Sequence, residues 1–478
     1  MTHAAVPPVR SAAEIRASLG HPVVDADGHW QESVPVFLDY LRDEGGPGAV
    51  EALQALTGGF YARWYDATPA ERLERRIPRA PWWPEPANTL DRATSLLPNL
   101  LAERLDEFGI DVLLLYPSLG LFGLHIDDDD FRQSFGRAAN RMAMDAFAPH
   151  ADRILPVAIV PHRTPDQAIE ALEDAIGLGF RAIFTTGAVR RTSTTGSPFV
   201  DFLALDSPYD YDPFWRRCQE LGVAVTAHAG SLGWSDRSAP TNSVFNHIGH
   251  FANASHGFCK ALVLGGVAGR FPRLRFGFLE GGVSWACQLH ADVVGHWEKR
   301  NRDAVLANVR PSNLDLAQLG RLFDQHGGTL LGGRFDEFVR SPSWTRPYAD
   351  IAELTESEVD LDEFASAAID GPADLVEWFG QRFFYGCESD DKLVAWAFDG
   401  RSGTPLRAMW GSDIGHFDVV DMRQVLPEAF ELVEEGLLTA KDFEDFVYRN
   451  AVRLHTAGNP DFFAGTRIED QVASLLRA

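Results

Sequence analysis

The sequence has few cysteines and no long apolar run. Its 478 residues include only four cysteines, and none has the paired spacing of a zinc finger or a disulfide framework: Cys218, Cys259, Cys287 and Cys387. We interpret them as buried, reduced thiols. The first twenty residues lack the basic stretch and apolar block of a secretory signal, and no run of about 18 apolar residues occurs. These absences predict a cytoplasmic protein that does not enter a membrane.

Positive charge is also scarce. Lys and Arg total 43 against 68 Asp and Glu, which gives a formal net charge of −25 at pH 7. This charge repels nucleic-acid phosphates and anionic membrane surfaces, so neither is an expected partner. A small-molecule substrate is compatible with it, because a bound cation can reverse the field inside a cleft. No GxGxxG, P-loop or GxSxG motif occurs, so neither nucleotide cofactors nor a nucleophilic serine is expected.

Short apolar runs alternate with stretches of helical periodicity. They predict eight strands, at residues 21–27, 111–117, 153–161, 180–185, 223–228, 274–280, 382–387 and 407–413. Between the third and fourth, residues 165–177 place Ala168, Leu172 and Ile176 on one stripe, and Gly179 follows as a stop signal. This alternation is typical of parallel βαβ units. It favours an α/β protein with a (β/α)8 TIM-type barrel, although an open doubly wound sheet has the same local pattern.

Two stretches interrupt the pattern. Residues from about 42 to 95 include the Trp- and Pro-rich RAPWWPEPAN at 79–88, and residues from about 300 to 380 include an acidic helical stretch at 353–367. We therefore predict one barrel domain over residues 1–478 with two insertions. Insertions after barrel strands gather at the face where active sites lie. The same segments could instead pack against another subunit, and we expect a homo- or hetero-oligomer.

Polar residues follow the first, fifth and eighth predicted strands, in VVDADGHWQES, VTAHAGS and MWGSDIGHFD. Alternation along a strand points Asp27 and His29 to one side, while His228 and Asp413 stand at strand tips, which converge at the mouth of a barrel. Carboxylate and neutral imidazole are ligands for zinc, manganese or iron. Each residue alone could be structural. Together they predict a divalent-metal site held by Asp27, His29, His228 and Asp413, with zinc favoured.

More histidines lie between the fifth and sixth strands, in FNHIGHFANASHGF. His247 and His250 are three residues apart and could share a helix face, with His256 further along. We expect one or two of them to reach the barrel mouth, and we place His250 among the catalytic residues. Surface or interface histidines would produce the same sequence. Glu388 follows the seventh strand in an acidic turn, and His416 follows the eighth.

These motifs resemble the amidohydrolase-2 branch of the amidohydrolase superfamily, whose members include aminocarboxymuconate semialdehyde decarboxylase and the gamma-resorcylate decarboxylases. The similarity runs from about residue 21 to 456 and is most specific in GRFPRLRFGFLEGGVSW and GSDIGHFD. It implies a metal-dependent hydrolase or non-oxidative decarboxylase that acts on a small carboxylated compound. The aromatic-rich first insertion suggests an apolar or aromatic substrate.

The resemblance implies Asp27 and His29 as first-strand ligands, His228 as the fifth-strand ligand and Asp413 as the eighth-strand ligand or base. Two positions depart from the family pattern. Asp27 stands where many members have His, a variant found in the decarboxylase-like subgroup. Glu280 stands where some members have His, so it is a ligand, a general acid or a partner that orients His228. We group Glu280 with Asp413 and His250 as catalytic residues.

Two other functions fit the same sequence. A surplus of possible metal ligands would suit a dinuclear iron or iron/manganese monooxygenase that activates O₂, as a few relatives of the superfamily do. These further ligands are His247, His250, His256, Glu280 and His416. The long insertions would suit a partner subunit of a hetero-oligomeric enzyme. Two iron or manganese atoms per chain together with O₂-dependent turnover would favour the monooxygenase, and activity of the purified single chain would argue against the subunit role.

Overall fold

The computed structural model describes residues 10–60, 62–80, 86, 88–228, 238–308, 313–341 and 362–477. Most of RAPWWPEPAN and most of the predicted acidic helix at 353–367 lie outside these residues. The chain divides into two compact units, one of residues 1–289 with 376–478 and one of residues 290–375. The second unit spans nearly the same residues as the predicted second insertion, and the single-domain arrangement remains a prediction.

The described part of the first unit contains ten strands. They are β1 (Val24–Trp30), β2 (Val112–Pro117), β3 (Ile154–Ile159), β4 (Ala182–Thr185), β5 (Val189–Thr192), β6 (Pro198–Asp201), β7 (Val225–Ala227), β8 (Phe276–Phe278), β9 (Phe383–Cys387) and β10 (Arg407–Trp410). Eight of them pair in parallel in the order β1-β2-β3-β4-β7-β8-β9-β10, and β5 and β6 form an antiparallel hairpin after β4. Each predicted strand is therefore present.

The last strand returns to the first. The backbone N–H of Asp413 donates to the carbonyl of Asp27 (2.9 Å), and that of His29 donates to the carbonyl of Ile414 (2.7 Å). The strands approach closely here, because a Cβ on Gly411 would lie 2.7 Å from the Asp27 Cβ. The sheet thus closes on itself, which confirms the TIM-type barrel and excludes the open sheet.

Helices connect the strands. The α-helices are Ala12–Ser18, Val34–Phe60, Ala62–Asp66, Pro69–Glu74, Thr89–Leu96, Pro98–Phe108, Ser118–Gly123, Asp129–Phe147, Pro165–Gly177, Asp212–Leu221, Ser243–His247, His250–Leu264, Val267–Arg270, Ser284–Arg300, Arg302–Asn308, Leu316–His326, Gly328–Leu331, Phe335–Val339, Pro372–Glu377, Ala395–Phe398, Val425–Glu434, Ala440–Glu444, Asn450–Thr456 and Glu469–Arg477. Short 3-10 or π turns are Ala148–His150, Ala365–Ala367, Trp378–Arg382, Lys392–Val394, Met422–Gln424 and Asp445–Arg449. None of the described helices combines the length and apolar character needed to span a bilayer.

Local sequence signals were enough to predict the helix at residues 165–177. It begins after Thr164, whose side chain accepts a hydrogen bond from the Gln167 backbone N–H, and it ends before Gly179, whose φ is +99°. Both are ordinary helix-end signals. Ala168 and Leu172 are buried as predicted, with Ala175 in place of Ile176 completing the buried face.

The first insertion is bonded to the segment that follows β7. The Asn246 side-chain amide donates to the carbonyl of Arg79 (2.7 Å), and the Trp64 indole N–H donates to the carbonyl of Pro240 (2.7 Å). The Arg79 backbone N–H in turn donates to the carbonyl of Ala239 (3.1 Å). This insertion therefore lies on the side of the barrel where the carboxyl ends of the strands meet.

Candidate metal centre

Four strands bring acidic and imidazole side chains into one buried cluster. Asp27 and His29 come from β1, His228 follows β7, Glu280 follows β8 and Asp413 follows β10. The side chains of all five are at most 4% exposed. They meet because the carboxyl ends of parallel barrel strands converge on one mouth.

The ligating atoms of this cluster lie close together. The Nε2 atoms of His29 and His228 are 3.0 Å apart, and each lies 3.5 Å from Oδ1 of Asp27. Oε2 of Glu280 is 3.2 Å from Nε2 of His228, and Oδ1 of Asp413 is 3.5 Å from Nε2 of His29. Two overlapping groups have one atom per residue within 4.8 Å of one another: Asp27, His29, His228 and Glu280, and His29, Glu280, Asp413 and His416.

Several of these atoms have no protein partner. Oδ1 of Asp27, Oε2 of Glu280 and Oδ2 of Asp413 are buried and accept no hydrogen bond from any described residue. A buried carboxylate is costly unless it is paired or coordinates a metal. A divalent cation would satisfy these oxygens and the two facing imidazole nitrogens together, and carboxylate with imidazole is a common donor set for such ions. The residues present therefore fit a metal.

The electrostatics of the cluster agree with this fit. Burial lowers the pKa of His228 to about 3 and that of His29 well below its ordinary value, so both imidazoles stay neutral, as metal ligands must be. Burial also raises the pKa of Asp27, Glu280 and Asp413, and neighbouring carboxylates add to the rise for Glu280 and Asp413. The cluster is thus a site where negative charge needs a cation.

Two residues of the cluster have left-handed backbone. Glu280 has φ +55° and Asp413 has φ +53°, a region that costs a residue other than glycine roughly 1 kcal/mol or more. Gly415 is needed close by, because a Cβ there would lie 2.3 Å from the carbonyl oxygen of His29. Strain of this kind persists where the surroundings impose it, and here it aims two carboxylates into the cluster.

Asp25 points elsewhere, although simple alternation along β1 would place its side chain on the same side as those of Asp27 and His29. Its Oδ1 accepts from the backbone N–H groups of Asp27 (3.1 Å) and Ser412 (3.0 Å), and its Oδ2 accepts from the Ser412 hydroxyl. Pairing between β1 and β2 shifts register between Asp25 and Gly28, which breaks the simple alternation. Asp25 thus ties β1 to the segment that carries Asp413, and burial raises its pKa to about 7.

His250 is not among the residues of either group. It begins the helix His250–Leu264, and its ring lies edge-on to Phe251 (5.1 Å between centroids), which in turn contacts His228 (5.4 Å). Its catalytic role remains a prediction.

The shared helix face predicted for His247 and His250 is wrong. Gly249, with φ +72°, separates the helix that ends at His247 from the one that begins at His250. His247 lies 3.9 Å from a carboxylate oxygen of Asp418, and His256 lies 6.3 Å from the Trp285 ring.

Some residues around the cluster gave no clear sequence signal. Tyr116 lies within the apolar run of β2, yet its ring is 5.5 Å from that of His228 and its hydroxyl donates to Thr226 (3.1 Å). Glu388, from the acidic turn GCESDD, is partly buried, and its pKa rises well above the ordinary value through burial and the charge of Asp413. No sequence motif marks Ser118, which contacts His416, or Gln31, whose side-chain amide donates to the Ser118 hydroxyl.

The chain matches the amidohydrolase family model over residues 116–311. The resemblance to the amidohydrolase-2 branch is confirmed. The match covers less than half of the chain, and it shows that this region is similar to that family. No curated protein matches the chain.

Solved structures share the fold at low identity. An amidohydrolase from Mycobacterium avium subsp. paratuberculosis is 16% identical, with a TM-score of 0.52 over 92% of this chain and 100% of that one. A manganese-bound dihydroxybenzoic acid decarboxylase from Polaromonas is 13% identical, with a TM-score of 0.49 over 93% of this chain and 99% of that one. A manganese-bound 5-carboxyvanillate decarboxylase from Novosphingobium aromaticivorans is 15% identical, with a TM-score of 0.47 over 92% and 97%. The similarity to the amidohydrolase from Mycobacterium avium shows a shared fold and no more. The similarity to the two decarboxylases supports no further conclusion about this chain.

Asp27 and His29 are expected to act as one unit in metal binding. Their ligating atoms face the same point from one strand, so losing either should disrupt the site that both form. In titrations with Mn²⁺, the double variant Asp27→Ala/His29→Ala should lose little more binding free energy than the worse single variant. Losses that add would show that the two residues serve separate functions.

Metal binding is expected to release protons and to tighten as pH rises. The raised pKa values of Asp27, Glu280 and Asp413 mean that these carboxyls hold protons at pH values where free carboxyls are ionised, and a cation must displace them. Lowering the pH therefore weakens binding. Calorimetric titrations with Mn²⁺ in buffers of different ionisation enthalpy measure the protons released. Affinity that does not change with pH would contradict this expectation.

Proposed function

We propose that this enzyme binds one divalent metal ion and uses it to decarboxylate, without oxidation, a small aromatic carboxylate. Hydrolysis of a small carboxylated compound is the alternative on the same site. The observation that carries the proposal is the meeting of the His29 and His228 Nε2 atoms, 3.0 Å apart, among the buried oxygens of Asp27, Glu280 and Asp413. Neutral imidazoles and unpaired carboxylates have no reason to converge in a core except to share a cation.

Asp27, His29, His228 and Asp413 would hold the metal, with Glu280 beside His228. A bound divalent cation supplies Lewis acidity to a substrate carboxylate or carbonyl and lowers the pKa of a bound water. We favour zinc, and manganese and iron suit the same donor set. Metal content of the purified chain identifies the ion.

Asp413 is the residue we propose to move a proton. Its Oδ1 lies 2.7 Å from Nδ1 of His416, and neither of its two buried carboxylate oxygens has a hydrogen-bond partner among the described residues. The carboxylate can therefore take a proton from water or give one to substrate. Glu280, 3.2 Å from the His228 ring, orients that imidazole or binds the metal directly.

Two features support decarboxylation of an aromatic acid. The Asp27-x-His29 form of the first-strand motif resembles the decarboxylase-like subgroup. The rings of Tyr116 and Phe251 lie 5.5 Å and 5.4 Å from that of His228, so aromatic surface borders the cluster. Flat rings of this kind suit a planar substrate.

A paired assay tests the proposal. Purified chain is analysed for metal, stripped with chelator, reloaded with Zn²⁺ or Mn²⁺, and incubated with a panel of hydroxybenzoates and with a panel of lactones and amides. We expect one metal per chain and metal-dependent CO₂ release from the first panel. Turnover of the second panel alone would favour hydrolysis.

The other outcomes identify the competing functions. Two iron or manganese ions per chain with O₂ consumption would identify the monooxygenase, which the second ligand group of His29, Glu280, Asp413 and His416 would serve. An inactive single chain that gains activity with a partner would identify the subunit role. Mass photometry of the same sample measures the oligomeric state that we propose.

A further inference from the structure

The first insertion, residues 42–95, is bonded at its later end to the segments that follow β1 and β10. The Gln31 backbone N–H donates to the carbonyl of Ser95 (2.7 Å), and the backbone N–H of Met422 donates to the Asp91 carboxylate (3.1 Å). Both of these strands carry residues of the metal cluster. The insertion therefore joins two of the loops that surround the mouth of the barrel.

The side chain of Asn246 joins the earlier part of the insertion to the segment after β7, residues 238–248. Its Oδ1 accepts from the backbone N–H of Ala239 (2.6 Å), and its amide nitrogen donates to the carbonyls of Ala239 (3.0 Å) and Arg79 (2.7 Å). The amide orientation is fixed, because a flipped group would set its oxygen against two carbonyl oxygens. One side chain thus bonds backbone groups of both segments.

Trp64 makes the same junction from the side of the insertion. Its indole N–H donates to the carbonyl of Pro240 (2.7 Å). The guanidinium carbons of Arg72 and Arg79 lie 3.6 and 5.0 Å from the centre of its ring, and Nε of Arg72 donates to the Trp64 carbonyl (2.6 Å). Cations over an indole face are attracted to it, so the ring is held within the insertion while its edge reaches the other segment.

The segment that Asn246 fastens leads directly to the metal cluster. Asn246 belongs to the helix Ser243–His247, and the next residue is His247. The His247 ring lies 6.5 Å from that of Phe251, which lies 5.4 Å from the ring of His228. Two ring contacts therefore connect the end of this helix to a residue of the cluster.

We propose that Asn246 and Trp64 are positioning residues that fasten the first insertion to the helix Ser243–His247 and so hold the His247 and Phe251 rings as one wall of the substrate site. Their role rests on the proposed function, since the wall borders the site assigned to the aromatic carboxylate. Neither residue belongs to the metal cluster. Loosening the junction should therefore weaken substrate binding and leave the ion in place.

Hydrogen–deuterium exchange of the full-length chain, read by mass spectrometry, tests the junction without substrate. In Asn246→Ala and in Trp64→Phe, peptides from residues 62–80 and 238–248 should exchange roughly tenfold faster than in the native chain, while the barrel strands keep their protection. Each variant removes bonds between the two segments, so both segments should respond. Native exchange of residues 62–80 in Asn246→Ala would overturn the proposal, because the insertion would then not be held by this amide.

Two matched substitutions elsewhere on the chain serve as controls. Asn99 is another asparagine in a side-chain contact, with Oδ1 2.9 Å from Nε2 of His150. Trp396 is another tryptophan beside an arginine, with its ring centre 5.9 Å from the Arg401 guanidinium carbon. Asn99→Ala and Trp396→Phe should leave exchange of the two fastened segments unchanged. Faster exchange there in either control would mean general loosening of the chain and would overturn the assignment.

Kinetics on a carboxylate that turns over in the substrate panel separate positioning from a structural role. In Asn246→Ala and Trp64→Phe, KM should rise by roughly tenfold while kcat and metal per chain stay within about twofold of native. A fall in kcat or metal content at constant KM would place the effect at the reacting centre and overturn the proposal. Unchanged kcat and KM with a lower unfolding temperature would overturn it as well. If no carboxylate turns over, the proposed function fails, whereas the exchange data still decide whether the insertion is fastened here.

Discussion

Replacing Asp413 with Asn is expected to lower turnover by at least about a hundredfold, the lower range for loss of a general base, while the thermal unfolding temperature changes little. Asn keeps the size of the side chain and one oxygen but removes the charge and the basic site. It also tolerates the left-handed backbone at this position, where φ is +53°, better than most residues do. The variant should therefore fold and fail in catalysis.

Asp206 provides a matched control, since it is another aspartate with left-handed backbone, at φ +55°, and it is exposed. Asp206→Asn should leave both turnover and unfolding unchanged. The measurements are kcat and KM on the carboxylate found in the substrate panel, with circular dichroism melting of each variant. Near-normal turnover in Asp413→Asn would mean that the residue only shapes the turn after β10.

Replacing His228 with Ala is expected to remove most of the bound metal and to leave the barrel folded. The imidazole stands just beyond β7, and Nε2 contacts Asp27, Glu280 and His29. Removing this imidazole takes away one metal ligand next to Asp27, Glu280 and His29. The loss should weaken metal binding more than it destabilises the barrel strands. Elemental analysis of metal per chain and a melting curve measure the two effects separately.

A buried histidine outside the cluster serves as the control. His455, 3% exposed, stacks on Phe462 with centroids 4.3 Å apart. His455→Ala should lower the unfolding temperature through lost packing and keep the metal. His228→Ala should show the opposite pattern. Full metal occupancy in the purified His228→Ala chain would remove His228 from the ligand set.

Glu280 and the histidines after β7 show where sequence reasoning stopped. The sequence predicts Glu280 as a metal ligand, a general acid or a residue that orients His228. These three roles cannot be told apart without the distance between Glu280 and His228. His247 and His250 were predicted on one helix face, but the left-handed Gly249 separates two helices between them. A three-residue spacing has a fixed geometry only while one helix continues.

The strands, the helix Pro165–Gly177 and the set of Asp27, His29, His228 and Asp413 could be predicted from the sequence alone. Apolar periodicity, helix caps and polar residues at strand ends are local signals, and parallel strands in a barrel must direct those ends to one mouth. The metal cluster could therefore be named before its distances were known, although its ligand roles remain a prediction.

The partners of His416 and Asp25 were decided only by the tertiary structure. Ser118 lies 298 residues before His416 in the chain, and Asp25 lies 387 residues before Ser412. These contacts exist because the last strand closes on the first, which brings the ends of the barrel sequence together. No periodicity within either segment encodes that meeting, since these contacts join atoms that only barrel closure makes neighbours.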